Sequence, residues 1–236
     1  MNFQRRYILE NIVNCRDLGG YPSKYGVTKF GRFIRCGTVI RPTDEDIQAL
    51  KKLNVTTVID LRGDFETANQ PNKFERLTDN INHISLYELN VADVKGAKIE
   101  LSDIYKVIVD TYKENIAKVL KTIADAPEGA ILYHCFLGKD RTGILSMLLL
   151  TIAGVDEDDI VADYQLTFTY LEKFIKNHSD KLWETDMTMH YSLPQTMRTL
   201  IEYINQKYGS VTDYILQTGV TETEIEKIRK DFSEQK

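Results

Sequence analysis

The segment EGAILYHCFLGKDRTGILSMLLLTIAG, residues 128–154, decides how the chain is read. Its first eight residues (128–135) form a short apolar run with Ile131, Leu132 and Tyr133, which has the length and composition of a buried strand. Residues 141–154 are almost wholly apolar, which reads as a buried helix, and they are too few to span a bilayer. Between these two elements stand Gly138 and the consecutive charges Lys139, Asp140 and Arg141. One reading makes Cys135 a small buried residue in a glycine-containing turn, with the charges merely solvated. The other makes Cys135 a nucleophile aimed at an anion that the charges help to hold. Three adjacent charges between two core elements favour the second.

Outward from this segment, VTTVIDL (55–61) is short and β-branched, so it reads as a strand that leaves Asp60 and Arg62 at its C-terminal end. RPTDEDIQALKKLN (41–54) reads as a helix. Thr43 can cap it, Asp44, Glu45 and Asp46 suit its positive end, and Ile47, Leu50 and Leu53 form an apolar stripe. NHISLYEL (82–89) is a further candidate strand, and the periodicity of IYKVIVDTYKENIAKVLKTIAD (104–125) predicts one long helix. Alternating strands and helices imply an α/β sheet protein. After Gly154 the chain becomes largely helical. Helices are predicted over 155–178 with Asp156 as cap, over 193–209 ending at a glycine, and over 221–232 with Thr221 and Glu224 in capping-box spacing. KLWETDMTMHYS (181–192) has no period and reads as a covering loop, with a flap over an active site as the alternative. There is no repeat, low-complexity tract or Pro/Ser-rich linker, so one domain is expected over 1–236.

The chain has 236 residues, enough to bury a core without disulfides. Its net charge of −5 argues against general nucleic-acid binding, which favours basic surfaces, but leaves room for a local basic pocket. It also argues against membrane association without a local basic patch. Cys15, Cys36 and Cys135 are too few, and odd in number, for a disulfide framework, which points to a reducing compartment. The first residues lack the apolar core of a signal peptide, so a cytoplasmic location is the default. His83, His178 and His190 show no metal-ligand spacing, and neither metal nor cofactor is expected.

Read as strand, tight loop and helix, residues 134–143 place Cys135 at the C-terminal edge of a strand, where open α/β sheets bind ligands. The loop of Phe136, Leu137, Gly138 and Lys139 runs into a helix N-terminus. Its successive backbone N–H groups can converge on one point, and the helix end adds partial positive charge. Gly138 permits the backbone angles of such a turn. The concavity suits a phosphate monoester and would stabilise a thiolate at Cys135. Arg141 offers a planar fork for two phosphate oxygens, Thr142 can donate its hydroxyl to the sulfur, and His134 can orient the loop. In-line attack by Cys135, proton transfer from an acid, and hydrolysis of the cysteinyl-phosphate would follow. A nucleotide-binding Walker loop is a poorer match, because the upstream glycine and the Lys-Ser/Thr pair are missing.

HCFLGKDRTG resembles the active-site loop of cysteine-dependent tyrosine phosphatases. More narrowly, it resembles the atypical bacterial group typified by mycobacterial protein tyrosine phosphatase B and a listerial lipid phosphatase. NCRDLGGY (14–21), GRFIRCG (31–37), LNVTTVIDLR (53–62), GVDEDDIVADY (154–164) and YGSVTDYILQTGVTETEIEKIR (208–229) extend the resemblance nearly end to end. It implies a three-layer cysteine-phosphatase fold, a central sheet flanked by helices with an additional helical C-terminal half. Lid segments are expected within about 88–112 and 164–192. The stretch between Tyr87 and Cys135 is compact compared with the mycobacterial enzyme, so a shorter lid is expected.

The resemblance also implies roles. Cys135 matches the nucleophile, Arg141 the phosphate-binding arginine, and Lys139 a loop lysine linked to phosphoinositide and broader substrate acceptance. Asp140 matches an aspartate proposed as general acid. Lys139 and Arg141 beside it should depress its pKa, which is awkward for a proton donor. Asp60, as acid or as orienting partner of Arg141, and a lid aspartate such as Asp93 or Asp103 stay open as alternatives. Arg35 matches an arginine near the substrate, or else is a salt-bridge partner of Asp17 or Asp60. Arg16 and Asp17 read as a charged pair bracing the site, and Cys15 and Cys36 as core residues. The expected substrates are phosphotyrosine proteins, with phosphoserine, phosphothreonine or phosphoinositides as a broader set. An inositol-polyphosphate phosphatase and a catalytically silent phosphate-binding module are the competing readings.

Overall fold

Val55–Asp60 and Ala130–His134 are buried along both faces, the pattern of strands enclosed between layers. They pair in parallel at the centre of a five-stranded sheet. The computed structural model describes residues 4–37, 42–88, 100–177 and 191–235. In chain order the strands are β1 (Arg16–Asp17), β2 (Pro22–Ser23), β3 (Gly26–Thr28), β4 (Phe33–Cys36), β5 (Val55–Asp60), β6 (Ile81–His83), β7 (Ala130–His134) and β8 (Ser233–Gln235). The main sheet has the order β1-β4-β7-β5-β6, with β1 antiparallel to β4 and the other pairings parallel. β2, β3 and β8 form a small separate sheet.

The two-residue period of the strands divides the core. Phe33, Ile59, Ile131 and Tyr133 face a large helical layer, whereas Ile34, Cys36, Val58 and Leu132 face a smaller cluster. That cluster includes Leu50 of α1 (Asp44–Lys51), Phe74 of a 3₁₀ turn, and Tyr7 and Ile12 of the N-terminal segment. The protein is therefore a mixed α/β structure with a central sheet between helical layers, as the resemblance implied.

The remaining helices are α2 (Asp64–Asn69), α3 (Leu101–Thr111), α4 (Lys113–Asp125), α5 (Asp140–Ile152), α6 (Glu157–Asn177), α7 (Pro194–Tyr208), α8 (Val211–Gln217) and α9 (Glu222–Phe232). α5 is buried almost all round, as its uniform apolarity requires, and packs against α6, α8, α9, β4 and β7. The expected caps form. Thr43 and Asp46 make a capping box on α1, Thr221 and Glu224 make one on α9, and the Asp156 carboxylate accepts the Asp158 N–H at 2.9 Å. α7 stops at Gly209, whose φ of 98° is left-handed.

Two readings need correction. The single helix expected over 104–125 is two helices, broken at Tyr112 (φ −103°, ψ 30°). Each half is periodic and has its own partner, with α3 against α7 and α4 against α9, and Tyr112 packs edge-on against Tyr87. Of the strand expected over 82–89, only Asn82 and His83 join the ladder, as the end of β6 (Ile81–His83). Beyond it, the N–H groups of Ile84 and Leu86 follow the carbonyls of Asp60 and Leu61 into the core. Helices α2 and α8 and strand β4 were not assigned as elements from sequence.

Of the expected lid segments, 101–111 and 164–177 are parts of α3 and α6 that pack on α7 and line the large core. Residues 89–99 and 178–190, with Asp93, His178, His190 and most of the covering-loop stretch, lie outside the described residues. Among the described residues no helix is long and apolar enough to cross a membrane.

Thr221→Ala removes the side chain that accepts the Glu224 N–H. It should cost about 1 kcal/mol of stability, read as a lower urea midpoint with an unchanged slope.

Candidate active site

Cys135 follows the last residue of β7, the middle strand of the sheet, and residues 135–139 connect it to α5. The loop therefore crosses the C-terminal edge of the parallel strands. Its hydrogen bonds run through its carbonyls. The Asn14 side-chain amide donates to the carbonyls of Leu137 (3.1 Å) and Gly138 (2.9 Å), and Arg35 Nη2 donates to that of Gly138 (2.7 Å). No acceptor among the described residues takes up the N–H groups of residues 136–139. Tying the carbonyls beneath the loop turns the amides to the other side, the arrangement that binds an anion. Gly138 has φ +67°, and a Cβ there would lie 2.4 Å from the Cys36 carbonyl oxygen. Only glycine lets the loop rest this closely on β4.

The anchors of the loop are themselves anchored. Asn14 sits at φ 56°, and its side-chain oxygen accepts from Arg16. Arg16 and Arg35 are both fully buried and converge on Asp163 of α6, through Nε at 3.0 Å and Nη1 at 2.7 Å. Arg16 also donates to the Asp163 carbonyl and the Thr167 hydroxyl, and Arg35 to Ser146, which the Tyr133 hydroxyl meets at 2.8 Å. Burial would raise Asp163, but the two guanidiniums hold it down at about 2. Two buried guanidiniums against one carboxylate leave excess positive charge directly under the loop.

Arg141, in the first turn of α5, is 8% exposed. Its fork grips the Glu66 carboxylate of α2 with both terminal nitrogens, the Nη2–Oε1 pair at 3.0 Å, and Nη1 also donates to the Tyr87 carbonyl at 3.1 Å. Burial opposes the charge of Arg141, while Cys135, Glu66 and Asp140 favour it, and the guanidinium stays firmly cationic. Glu66 Oε2 also caps α2 through the Gly63 N–H at 2.8 Å.

Asp140 receives the Lys139 ammonium and the Tyr105 hydroxyl on the same oxygen, Oδ1, each at 2.6 Å. Burial would raise its pKa. The charge and hydrogen bond of Lys139, the hydrogen bond of Tyr105 and the charge of Arg141 outweigh that and lower it. Lys139 is buried and committed to Asp140, so its ammonium is not left open as a separate anion site.

His134 is buried behind the loop. Its Nδ1 lies 3.3 Å from the Cys135 carbonyl and its Nε2 lies 3.0 Å from the Asn72 side-chain nitrogen. Asn72 also donates to Asp60 at 3.1 Å. This pattern assigns the proton to Nδ1, which donates to the loop, and burial keeps the ring neutral by lowering its pKa.

The structure thus brings Cys135, Gly138, Lys139, Asp140 and Arg141 together, with Phe136 and Leu137 half-buried on the loop between them. Several expectations change. Asp60 does not orient Arg141. It is paired bidentately with Arg62 at 2.6–3.2 Å, and the balance of burial against His134 and Arg62 holds it well below the usual carboxylate range. Arg35 is fully buried beneath the loop, and its partner is Asp163 rather than Asp17 or Asp60. Arg16 and Asp17 are not a pair, since Asp17 accepts the Gly19 and Gly31 N–H groups at 2.7 Å. The Thr142 hydroxyl is buried and bonds neither Sγ nor any other described partner. Asp103 is paired with Lys106. Cys15 and Cys36 are free thiols in the smaller core.

Sequence reasoning missed Asn14, Glu66, Tyr105 and Asp163. Asp163 had a signal, because it and Thr167 share the buried face of α6 with Ile160, Tyr164 and Leu171. A carboxylate on such a face needs a buried cation. Glu66 had none, its partner being 75 residues away.

The Cys135 thiol, the Arg141 guanidinium and the unpaired N–H groups of residues 136–139 thus stand together at one edge of the sheet. Residues 7–234 match the tyrosine phosphatase family. The chain belongs to that family. It is 29% identical over 214 residues to a tyrosine-protein phosphatase of Nostoc commune, covering 84% of this chain and 72% of that protein. It is 28% identical over 116 residues to the triple specificity protein phosphatase PtpB of Mycobacterium tuberculosis, covering 42% of each. Among solved structures, P. aeruginosa TpbA aligns with 80% of this chain and 87% of its own at 17% identity and a TM-score of 0.41.

Asp163, held at about 2 against about 3.9 for a free aspartate, stabilises the fold fully above the higher value. That contribution is lost as pH falls through the lower one. Asp163→Asn should cost about 3–5 kcal/mol at neutral pH, and denaturant titrations between pH 5 and 2 should show a shallower acid loss than in the parent.

Proposed function

We propose that this phosphatase cleaves phosphotyrosine in proteins through a cysteinyl-phosphate intermediate, and that it also accepts phosphoserine, phosphothreonine or phosphoinositides. The loop architecture carries the reading. Carbonyls tied below and amides turned above make a preorganised cradle around Cys135 and Arg141, and preorganised donors stabilise charge as it develops. The name of the mycobacterial relative, a triple specificity phosphatase, supports the broader substrate range.

The steps use only groups of this chain. The Cys135 thiolate attacks phosphorus in line, forming the S–P bond as the P–O bond to the alcohol breaks. The loop amides and Arg141, through its Nε–H and the second Nη2–H that Glu66 and the Tyr87 carbonyl leave free, hold the equatorial oxygens. Asp140 gives its proton to the departing oxygen. Water then attacks the cysteinyl-phosphate and loses a proton to Asp140, and the S–P bond breaks to restore the thiolate. Asp140 is the acid of choice because it stands next to Arg141 and its side chain is 32% exposed, whereas Asp60 is 2% exposed and committed to Arg62. The low resting pKa of Asp140 is countered when a phosphate dianion binds beside it, because like charge favours the protonated carboxyl.

The decisive assay is phosphate release from a phosphotyrosine peptide, a phosphoserine peptide and phosphatidylinositol monophosphates, with chelator present. Cys135→Ser should abolish release from all three, while survival of activity would remove Cys135 from the chemistry. A folded parent that releases nothing would instead be a phosphate-binding module. Separately, Asp140→Asn should slow phenyl phosphate about 10²-fold or more and p-nitrophenyl phosphate far less. Equal slowing would sink the acid role.

A further inference from the structure

Asp140 is fastened by one oxygen only. Oδ1 takes both the Tyr105 hydroxyl and the Lys139 ammonium, each at 2.6 Å, and no hydrogen bond from a described residue reaches Oδ2. Tyr105 comes from α3 and is fully buried. Its oxygen lies 2.7 Å from that of Tyr164 on α6, with the rings edge to face. Since the Tyr105 proton goes to Asp140, Tyr164 donates to Tyr105. The chain Tyr164 to Tyr105 to Asp140 therefore runs in one direction across two helices into the loop.

We propose that Tyr105 is a positioning residue for the reaction: with Lys139 it occupies Oδ1 of Asp140, so that Oδ2 carries the acid proton and faces the leaving group. The proposal rests on Asp140 being the general acid. In the first step the proton on Oδ2 passes to the departing oxygen, and the new carboxylate keeps two donors on Oδ1. In the second step water returns a proton to Oδ2. The Tyr105 hydroxyl does not ionise in this cycle. Burial and the Asp140 charge push its pKa far up, and those of Tyr164 likewise, so both remain donors. The charged and titratable groups facing Asp140 are Lys139 on the loop, Arg141 on α5, Tyr105 on α3 and, behind it, Tyr164 on α6.

Tyr105→Phe tests this. Its hydrogen bond favours the ionised carboxylate, so its loss raises the Asp140 pKa. The alkaline limb of the kcat profile, which reports the substrate complex, should move up by about one pH unit. At the acidic plateau kcat for phenyl phosphate should fall about tenfold, and for p-nitrophenyl phosphate about twofold or less. In an Asp140→Asn background the same substitution should leave the ratio between the two substrates unchanged. An unmoved limb with equal losses on both substrates would make Tyr105 a packing residue and overturn the proposal. A change of that ratio in the Asp140→Asn background would overturn it as well. Failure of the acid reading shows first in Asp140→Asn alone, as equal slowing of both substrates. Failure of the present proposal shows when Asp140→Asn discriminates and Tyr105→Phe does not. Should Tyr105→Phe not fold, Tyr164→Phe removes the donor one step back. It should move the limb in the same direction with about a threefold loss on phenyl phosphate, and an unmoved profile there overturns the proposal too.

Discussion

The carbonyl of Gly138 accepts from Asn14 and from Arg35, and the site depends on that double contact. A peptide unit has two ends, so fixing the oxygen downward fixes the neighbouring N–H upward. A loop left to itself would turn its carbonyls to whatever donor it met, and a dianion would then face oxygens. The two donors come from opposite ends of the sequence logic. Asn14 comes from the N-terminal segment, more than 120 residues away, in a left-handed conformation that asparagine tolerates. Arg35 comes from the strand next to β7 in the sheet. Gly138 then supplies the contact that no other residue allows, with its α-carbon resting on the Cys36 carbonyl.

Holding two arginines in the core to do this is costly unless they are paired and fully hydrogen-bonded. Asp163 meets both, and Asn14, Thr167 and Ser146 take further N–H groups, while Arg35 Nε has no hydrogen-bond partner among the described residues. Because one carboxylate serves two guanidiniums, the cluster remains net positive. The loop of residues 135–139 thus sits over buried positive charge, at the N-terminus of α5 and beside Arg141. These three sources add in a medium of low polarisability, where each is worth more than in water. His134 adds none, since burial keeps it neutral, and its work is geometric.

The sequence made the strand, loop and helix at 128–154 legible because each carries a local signal: apolar length, a glycine, a charge run and an apolar helix. Caps were legible for the same reason, and Thr43, Asp156, Thr221 and Gly209 all act within a few residues of themselves. What was not legible is what acts at a distance. Glu66 on Arg141 and Asn14 under the loop are ordinary polar residues until the sheet is assembled. The break at Tyr112 was hidden because periodicity reports which face is apolar, and two successive helices can share that period while packing on different partners. Arg35 and Asp60, read from sequence as site residues, are buried in ion pairs with Asp163 and Arg62, and a buried charge stands out in a sequence whether it touches a ligand or holds the parts that do.

Asp140 brings the two kinds of constraint together. Its place in the loop is set by sequence, between Lys139 and Arg141, and that place favours its ionised form, the wrong resting charge for the acid role proposed for it. Tertiary structure adds Tyr105, which deepens the same problem by stabilising the carboxylate. An enzyme gains nothing from this unless the carboxylate is the form that must be stabilised at the transition state, where the proton has largely left. A donor that strengthens its hydrogen bond as charge develops on Oδ1 does so, because the bond is worth more to the ion than to the neutral acid. In the proposed reaction a bound dianion restores the proton in the ground state, and Tyr105 and Lys139 would receive the charge when that proton goes. The lowered pKa of Asp140 in the free protein and its proposed proton donation in the complex are then two aspects of one arrangement.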